Sequence, residues 1–280
     1  MTRRVALIGS PLRRPHSAVM HNAAFAAFGI DAEYELRPLE PAELDDFFLA
    51  ARGKEWMGFQ VTSPYKQEAA ARCDVVEAEA ARIGAVNSVT RHDEGTLTGF
   101  NTDASGFARA VRDDLAVEME GRAVAVAGTG GAARAVVDAC LQDGALEVLV
   151  GGRRRGSARA LVEEFGDERL IAVTLGSEFD ALLAGVDLAV NATTVGMTSH
   201  GVAFDPSRMT AGASLFDLVY VPAETPLLTA AREAGVNAVN GAGMLVAQAE
   251  IAFERWTGHS GAGSIMRAAV EPILKGTTEG

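Results

Sequence analysis

The chain has 280 residues, 48% of them apolar and 22% charged, enough to build two cored domains and too apolar for a disordered chain. Its 25 basic and 37 acidic side chains leave a net charge of −12, which repels phosphate backbones and anionic bilayers, so neither nucleic acid nor membrane is an expected partner. Two cysteines, Cys73 and Cys140, are too few for a disulfide framework. Both stand in alanine-rich, helix-like stretches and read as free buried thiols of a cytoplasmic protein. The first apolar run, 5–8, ends at Gly9 with Arg13 and Arg14 just beyond, and no run approaches the roughly 18 residues of a membrane span.

Taken in chain order, β-rich apolar runs alternate with helical stretches. Residues 5–8 read as a strand, 17–28 as a helix, 34–36 as a strand, 43–51 as a helix and 58–61 as a strand. This alternation predicts an α/β protein with largely parallel sheets. Residues 82–99 break the rhythm: 85–90 and 96–99 read as two short strands around the turn Asp93-Glu94-Gly95. The alternation resumes with a helix at 104–115 and strands at 123–127, 146–150, 188–191 and 214–218. A long apolar helix covers about 244–256. The irregular stretch near residue 100 marks a domain boundary.

Residues 123–127 (Ala-Val-Ala-Val-Ala) run straight into Gly128-Thr129-Gly130-Gly131-Ala132-Ala133 and then an apolar helix. This is a dinucleotide-binding turn of the form G-x-G-x-x-G/A inside a complete βαβ unit. Gly128 permits the tight turn, Gly130 the approach of a pyrophosphate, and Ala133 the close packing of helix on sheet, while free amides at the helix start bind phosphate. An acid about 20 residues past the first glycine would hold the ribose hydroxyl of NAD. The chain instead reads Gly151-Gly152-Arg153-Arg154-Arg155. Guanidinium forks suit a 2′-phosphate, so NADP is the expected coenzyme; the alternative is a solvated basic loop.

Three further stretches combine polar residues with strand ends: Val61-Thr62-Ser63-Pro64-Tyr65-Lys66, Gly84-Ala85-Val86-Asn87-Ser88 and Gly99-Phe100-Asn101-Thr102-Asp103. A lysine and an aspartate brought together there could serve carbonyl reduction, the ammonium protonating the oxygen while the carboxylate orients the lysine and a substrate hydroxyl. Taken singly, Lys66 and Asp103 read more simply as a surface lysine and a helix N-cap.

The joint pattern reverses that weighting. Gly9-Ser10-Pro11-Leu12 with Ser17 and Met20-His21-Asn22, the V-T-S-P-Y-K stretch, Gly84-Ala85-Val86-Asn87 and Asn101-Thr102-Asp103 stand in order in the first half. Asn191-Ala192-Thr193 with Val195-Gly196-Met197, Asp217-Leu218-Val219-Tyr220 with Pro222, Thr225 and Pro226, and Gly243-Met244-Leu245 with Gln248 and Trp256-Thr257-Gly258 follow in the second. Over essentially its full length the chain resembles the shikimate dehydrogenase family, which reduces 3-dehydroshikimate to shikimate with NADPH in chorismate and aromatic amino-acid biosynthesis. The resemblance implies a substrate domain, 1–103 completed by helices in 243–280, a Rossmann-like NADP domain, 104–242, and an active site in the cleft between them. It implies catalytic Lys66 and Asp103, and substrate contacts from Ser17, Thr62, Asn87, Asn101, Tyr220 and Gln248. Coenzyme contacts are implied for Gly128, Thr129, Gly130, Gly131, Ala132, Arg153, Arg154, Thr193, Met197, Gly243 and Met244. No metal is expected, and the assembly is expected to be a monomer or homodimer.

The sequence departs from the family pattern in places. Arg14-Pro15-His16-Ser17-Ala18 stands where the family has a histidine and then S-x-S-P, so one serine thought to hold the substrate carboxylate is proline. Either Arg14 partly replaces it, or Ser17 with ordered water suffices. Gln60 stands for the usual asparagine, Gly152-Arg153-Arg154 for N-R-T, and Thr129 for alanine. Met20, His21 and Asn22 read as packing and capping. A quinate/shikimate dehydrogenase, or a paralogue using a related ring acid, is the alternative. A non-catalytic dinucleotide-binding regulator would have no need of Lys66 and Asp103 together.

Overall fold

A computed structural model describes residues 2–12, 15–197, 199 and 201–276; Arg13 and Arg14, with the expectation attached to Arg14, lie outside the described residues. The chain divides into two compact units, residues 1–102 with 246–280, and 103–245.

In the first unit β1 (Arg3–Gly9), α1 (His16–Ala27), β2 (Ala32–Pro38), α2 (Leu44–Ala50) and β3 (Trp56–Val61) alternate as the apolar pattern predicts. Then come α3 (Lys66–Ala70), β4 (Val75–Val76), α4 (Ala78–Ile83), β5 (Ser88–Arg91) and β6 (Leu97–Phe100). The sheet order is β2-β1-β3-β5-β6-β4. β1 pairs in parallel with β2 and β3, whereas β5 is antiparallel to both β3 and β6. The break in rhythm is therefore a hairpin, closed by Gly95 at φ 84°, where a side chain would be strained. Its first strand is shorter than expected, because Asn87 turns its side-chain amide to the backbone N–H of Thr102 at 2.9 Å.

Phe47, Phe48, Trp56 and Phe59 fill one layer of this unit edge to face, with centroids 5.0–6.3 Å apart. On the other layer His21, Phe25 and Tyr34 meet Phe253 and Trp256. Both aromatic residues of the latter pair come from α10 (Ala242–Thr257), which with α11 (Gly263–Leu274) ends the described fold. Gly58 makes room for the indole: a Cβ there would stand 2.5 Å from Trp256 Nε1, which donates to Val89 O at 3.0 Å. Asn22 brackets the Tyr34 peptide, accepting from its N–H at 2.8 Å and donating to its carbonyl at 3.0 Å. Met20 and His21 are buried, so this triplet packs and fastens α1, as its sequence suggests.

The second unit runs α5 (Asp103–Leu115), β7 (Ala123–Ala127), α6 (Gly131–Gln142), β8 (Glu147–Gly152), α7 (Arg155–Phe165), β9 (Leu170–Thr174) and α8 (Ser177–Leu182). It continues with β10 (Leu188–Asn191), β11 (Ser214–Asp217), α9 (Pro226–Glu233) and β12 (Asn237–Asn240). All six strands are parallel, in the order β12-β11-β10-β7-β8-β9. This is the doubly wound arrangement, and its topological switch point lies between β7 and β10.

Cys140 is buried in α6 as expected, but Cys73 is only half-buried and lies in a bend between α3 and β4 rather than in a helix. The alanines before it form a single short helix that ends at Ala70. Desolvation pushes its thiol up to about 12, so it stays protonated at neutral pH. Among the described residues no helix is long and apolar enough to cross a membrane, and no group of His, Cys, Asp and Glu is arranged to hold a metal.

Candidate active site

In the first unit the topology itself gathers the polar motifs. A parallel β1/β3 pair and antiparallel β3/β5 and β5/β6 pairs place the ends of β1, β3 and β6 and the start of β5 at one edge of the sheet. Gly9 lets the first two loops touch, since a Cβ there would lie 2.5 Å from Thr62 Cγ2 and 3.0 Å from Ser63 O. Thr62 is half-buried, with its N–H held by Ile8 O at 2.9 Å. Tyr65 is buried and donates from Oη to Leu39 O at 2.6 Å, which fixes the turn that starts α3 at Lys66. The Lys66 carbonyl accepts from Val86 N–H at 2.8 Å, so the third loop is fastened to the second.

Asn87 and Asn101 are both buried and hydrogen-bonded within the protein. Asn87 Nδ2 donates to Thr102 Oγ1 at 2.9 Å, and Asn101 Nδ2 donates to Ala85 O at 2.8 Å. Ser17 is half-buried near the start of α1, one residue after His16 and two after Pro15. Gln248 is buried on α10, its Oε1 accepting from Gln60 Nε2 at 2.9 Å. Thr62, Lys66, Asn87 and Asn101 thus share one edge, and Gln248 joins it through Gln60, two residues before Thr62.

In the second unit Gly128 has φ 126°, and a Cβ there would stand 2.8 Å from Ala192 O. Only glycine allows β7 to turn this close to the loop after β10. Thr129 is half-buried and Gly130 exposed, with open space where its Cβ would be. Gly131 and Ala132 open α6, whose first amides have no side-chain cap, while Ala133 is fully buried against the sheet. At the end of β8 Arg153, Arg154 and Arg155 are exposed. Arg155 pairs with Glu178 at 3.3 Å, whereas among the described residues Arg153 and Arg154 have no carboxylate partner. The Ser157 hydroxyl donates to Arg154 O at 2.7 Å and fixes that backbone. The residues therefore fit a 2′-phosphorylated dinucleotide: an uncapped helix start, a glycine-rich turn, and two guanidinium groups with no carboxylate partner among the described residues.

The motifs after β10 and β11 form one hydrogen-bonded clamp. Asn191 donates to Asp217 Oδ1 at 2.8 Å and to Val195 O at 3.1 Å, and accepts from Thr193 N–H and Oγ1 at 3.0 and 2.6 Å. Asp217 also accepts from Val219 N–H at 3.0 Å and from Thr225 Oγ1 at 2.6 Å; Thr225 in turn caps α9. The Thr193 hydroxyl is therefore engaged inside its own loop. Burial pushes the Asp217 carboxyl above the usual aspartate value, and its donors pull the other way. Asp217→Ala removes the acceptor of three donors, each costing about 1–3 kcal/mol when orphaned. With part returned by removing a buried charge, we expect a net loss of about 3 kcal/mol and a fall in Tm of roughly 5–10 °C. A Tm within about 2 °C of the parent in a calorimetric scan would show that the clamp is not what holds these loops.

Met197 is exposed and Tyr220 half-buried on these same two loops. Gly243 and Met244 are buried in the first turn of α10, and a Cβ at Gly243 would overlap the Asp114 carboxylate. Asp103 is the first residue of α5 and is 7% exposed, directly after Thr102.

The profile of the shikimate dehydrogenase substrate binding domain matches residues 7–89, and that of the shikimate 5′-dehydrogenase C-terminal domain matches 241–271. A shikimate dehydrogenase (NADP(+)) of a Geobacter species is 42% identical over 264 residues, 92% of this chain and 90% of its own length. The shikimate 5-dehydrogenase of Thermus thermophilus, solved with NADP(H) and shikimate, superposes with a TM-score of 0.86 at 34% identity, covering 96% of this chain and 98% of that one. A quinate dehydrogenase of Corynebacterium glutamicum, solved with NAD, superposes at 0.89 with 33% identity, covering 96% and 99%. The chain belongs to the shikimate dehydrogenase family.

Proposed function

We propose that this chain interconverts 3-dehydroshikimate and shikimate with NADP as coenzyme. One observation carries the reading: a single chain combines a glycine turn and acid-free arginines at the ends of β7 and β8 with Thr62, Lys66, Asn87 and Asn101 at the edge of the other sheet. The relatives named shikimate dehydrogenase (NADP(+)) support it.

When bound, NADPH supplies the hydride. The α6 amides and Gly128–Gly131 would hold its pyrophosphate, and Arg153 and Arg154 its 2′-phosphate. Lys66 donates a proton from Nζ to the oxygen of the substrate carbonyl and recovers that proton from solvent. Asp103 accepts a hydrogen bond from a ring hydroxyl. Ser17, Thr62, Asn87, Asn101, Tyr220 and Gln248 hold the remaining oxygens, with Thr193, Met197, Gly243 and Met244 around the coenzyme. An acidic surface and two free thiols suit a cytoplasmic monomer or homodimer.

Pro15 before α1, together with the likeness to a quinate dehydrogenase, favours a second reading in which quinate is the better substrate. Purified protein with NADP⁺ should form NADPH from shikimate with a kcat/KM at least about tenfold above that for quinate, the weight of one polar contact. The reverse preference selects the second reading, and silence with both compounds overturns both.

A further inference from the structure

Unit 1 holds two buried polar side chains, Tyr34 and Gln60, that the reaction as described leaves unused. Tyr34 on β2 and Gln60 on β3 are 2% and 4% exposed. Tyr34 Oη donates to Gln60 Oε1 at 2.7 Å, and Gln60 Nε2 donates to Gln248 Oε1 at 2.9 Å.

The order of donors and acceptors along this line has a direction. A tyrosine hydroxyl has one proton to give, and here it goes to Gln60, which therefore presents its carbonyl oxygen to Tyr34. The Gln60 amino group then faces Gln248 and donates to its carbonyl oxygen. The Gln248 amino group is thereby turned away from Gln60. Without such partners the two ends of a carboxamide are nearly equivalent in shape and can exchange by a half-turn.

The surroundings hold the line neutral. His21 is fully buried and stacks on the Tyr34 ring at 4.6 Å and 5°. Burial drives its imidazole down to about 3, opposed in part by the Gln60 side chain, so it carries no charge at neutral pH. Trp256 lies against the same two rings at 5.3 and 6.4 Å. In so dry a setting a wrongly turned amide would bury unmatched polar atoms.

We propose that Tyr34 and Gln60 are positioning residues that set which end of the Gln248 carboxamide meets the substrate, so that the site favours a ring acid presenting a hydrogen-bond acceptor there. This rests on Gln248 being a substrate contact, as proposed above. Gln60 replaces a shorter amide of the family pattern, and its additional methylene belongs to the side chain that spans Tyr34 and Gln248.

Steady-state kinetics of the full chain at saturating NADP⁺, with shikimate varied, tests it. Gln248→Ala should raise the shikimate KM about tenfold and serves as the reference. Gln60→Met keeps the volume and removes both bonds; it should raise that KM about tenfold, with kcat and the NADP⁺ KM within about twofold of the parent. Tyr34→Phe deletes one hydroxyl and should raise it about threefold. In the Gln248→Ala background neither change should raise KM further, because an absent amide cannot be turned. If Gln248→Ala raises KM while Tyr34→Phe and Gln60→Met leave it within twofold, the inference is overturned and the substrate reading stands. Equal effects in both backgrounds overturn it too, since a merely structural role adds independently. An unchanged KM in Gln248→Ala removes Gln248 from the substrate site and takes the inference with it. Should Gln60→Met fail to fold, Tyr34→Phe alone and in the Gln248→Ala background decides the question.

Discussion

Lys66→Ala should lower kcat by roughly 10²- to 10⁴-fold, the scale of a lost general acid. The NADP⁺ dissociation constant, read by fluorescence titration, should stay within about twofold, because the glycine turn and the arginines belong to unit 2 and Lys66 to unit 1. The fold should survive the change. Lys66 is half-buried at the first position of α3, and what anchors that turn is the Tyr65 hydroxyl on Leu39 O and the Lys66 backbone carbonyl under Val86 N–H. Alanine retains both. A kcat within twofold of the parent, accompanied by a lower Tm, would make Lys66 a structural residue and remove the proposed proton donor.

Replacing Arg153 and Arg154 together by alanine should weaken NADP⁺ by roughly one to three orders of magnitude, the range of one or two charge-assisted hydrogen bonds to a phosphate. NAD⁺ affinity should be nearly unchanged. The asymmetry follows from the proposed placement: the pair sits just beyond β8, where the proposed reading puts the 2′-phosphate, and Arg155 beside it is already held by Glu178. The NADP⁺ effect should shrink as salt rises, since both side chains are exposed. Equal weakening of the two coenzymes would place the arginines on the pyrophosphate instead.

Much of this architecture is legible in the chain. The four inner strands of the second unit, β7, β8, β10 and β11, announce themselves because they are buried on both faces: Ala-Val-Ala-Val-Ala at β7 carries no polar residue, whereas the edge strand β9, with Ile171 exposed, escapes. The glycine turn is legible for the same local reason, since strand, turn and helix are consecutive. Elements that lack a pattern escape. β4 has two residues, too few to show any periodicity, and β12 is a half-exposed edge strand flanked by asparagines. The hairpin at 88–100 is visible through its turn, but its start is misplaced because the Asn87 side chain takes up the Thr102 backbone.

For the candidate site, the family motifs name residues without saying what each one holds. Asp217 joins Asn191 to Thr225 in one hydrogen-bonded chain, which no spacing reveals because Asn191 and Asp217 are 26 positions apart. Tyr34 and Gln60 are less visible still. One partner of Gln60 lies 26 residues away and the other 188, so only the assembled sheet and the last long helix bring the three together.

The position of Trp256 bears on the order in which the chain can fold as it is made. Residues 103–245 are one uninterrupted stretch, so the second unit has its whole core available before residues 246–276 are made. The first unit begins the chain yet cannot be finished from its own first hundred residues: the space left by Gly58 and the stack on Tyr34 and His21 wait for an indole near the carboxyl end. Emergence from the ribosome and completion of the core therefore run in opposite orders, with the first-made sheet exposing an unfilled aromatic face until the final helices arrive.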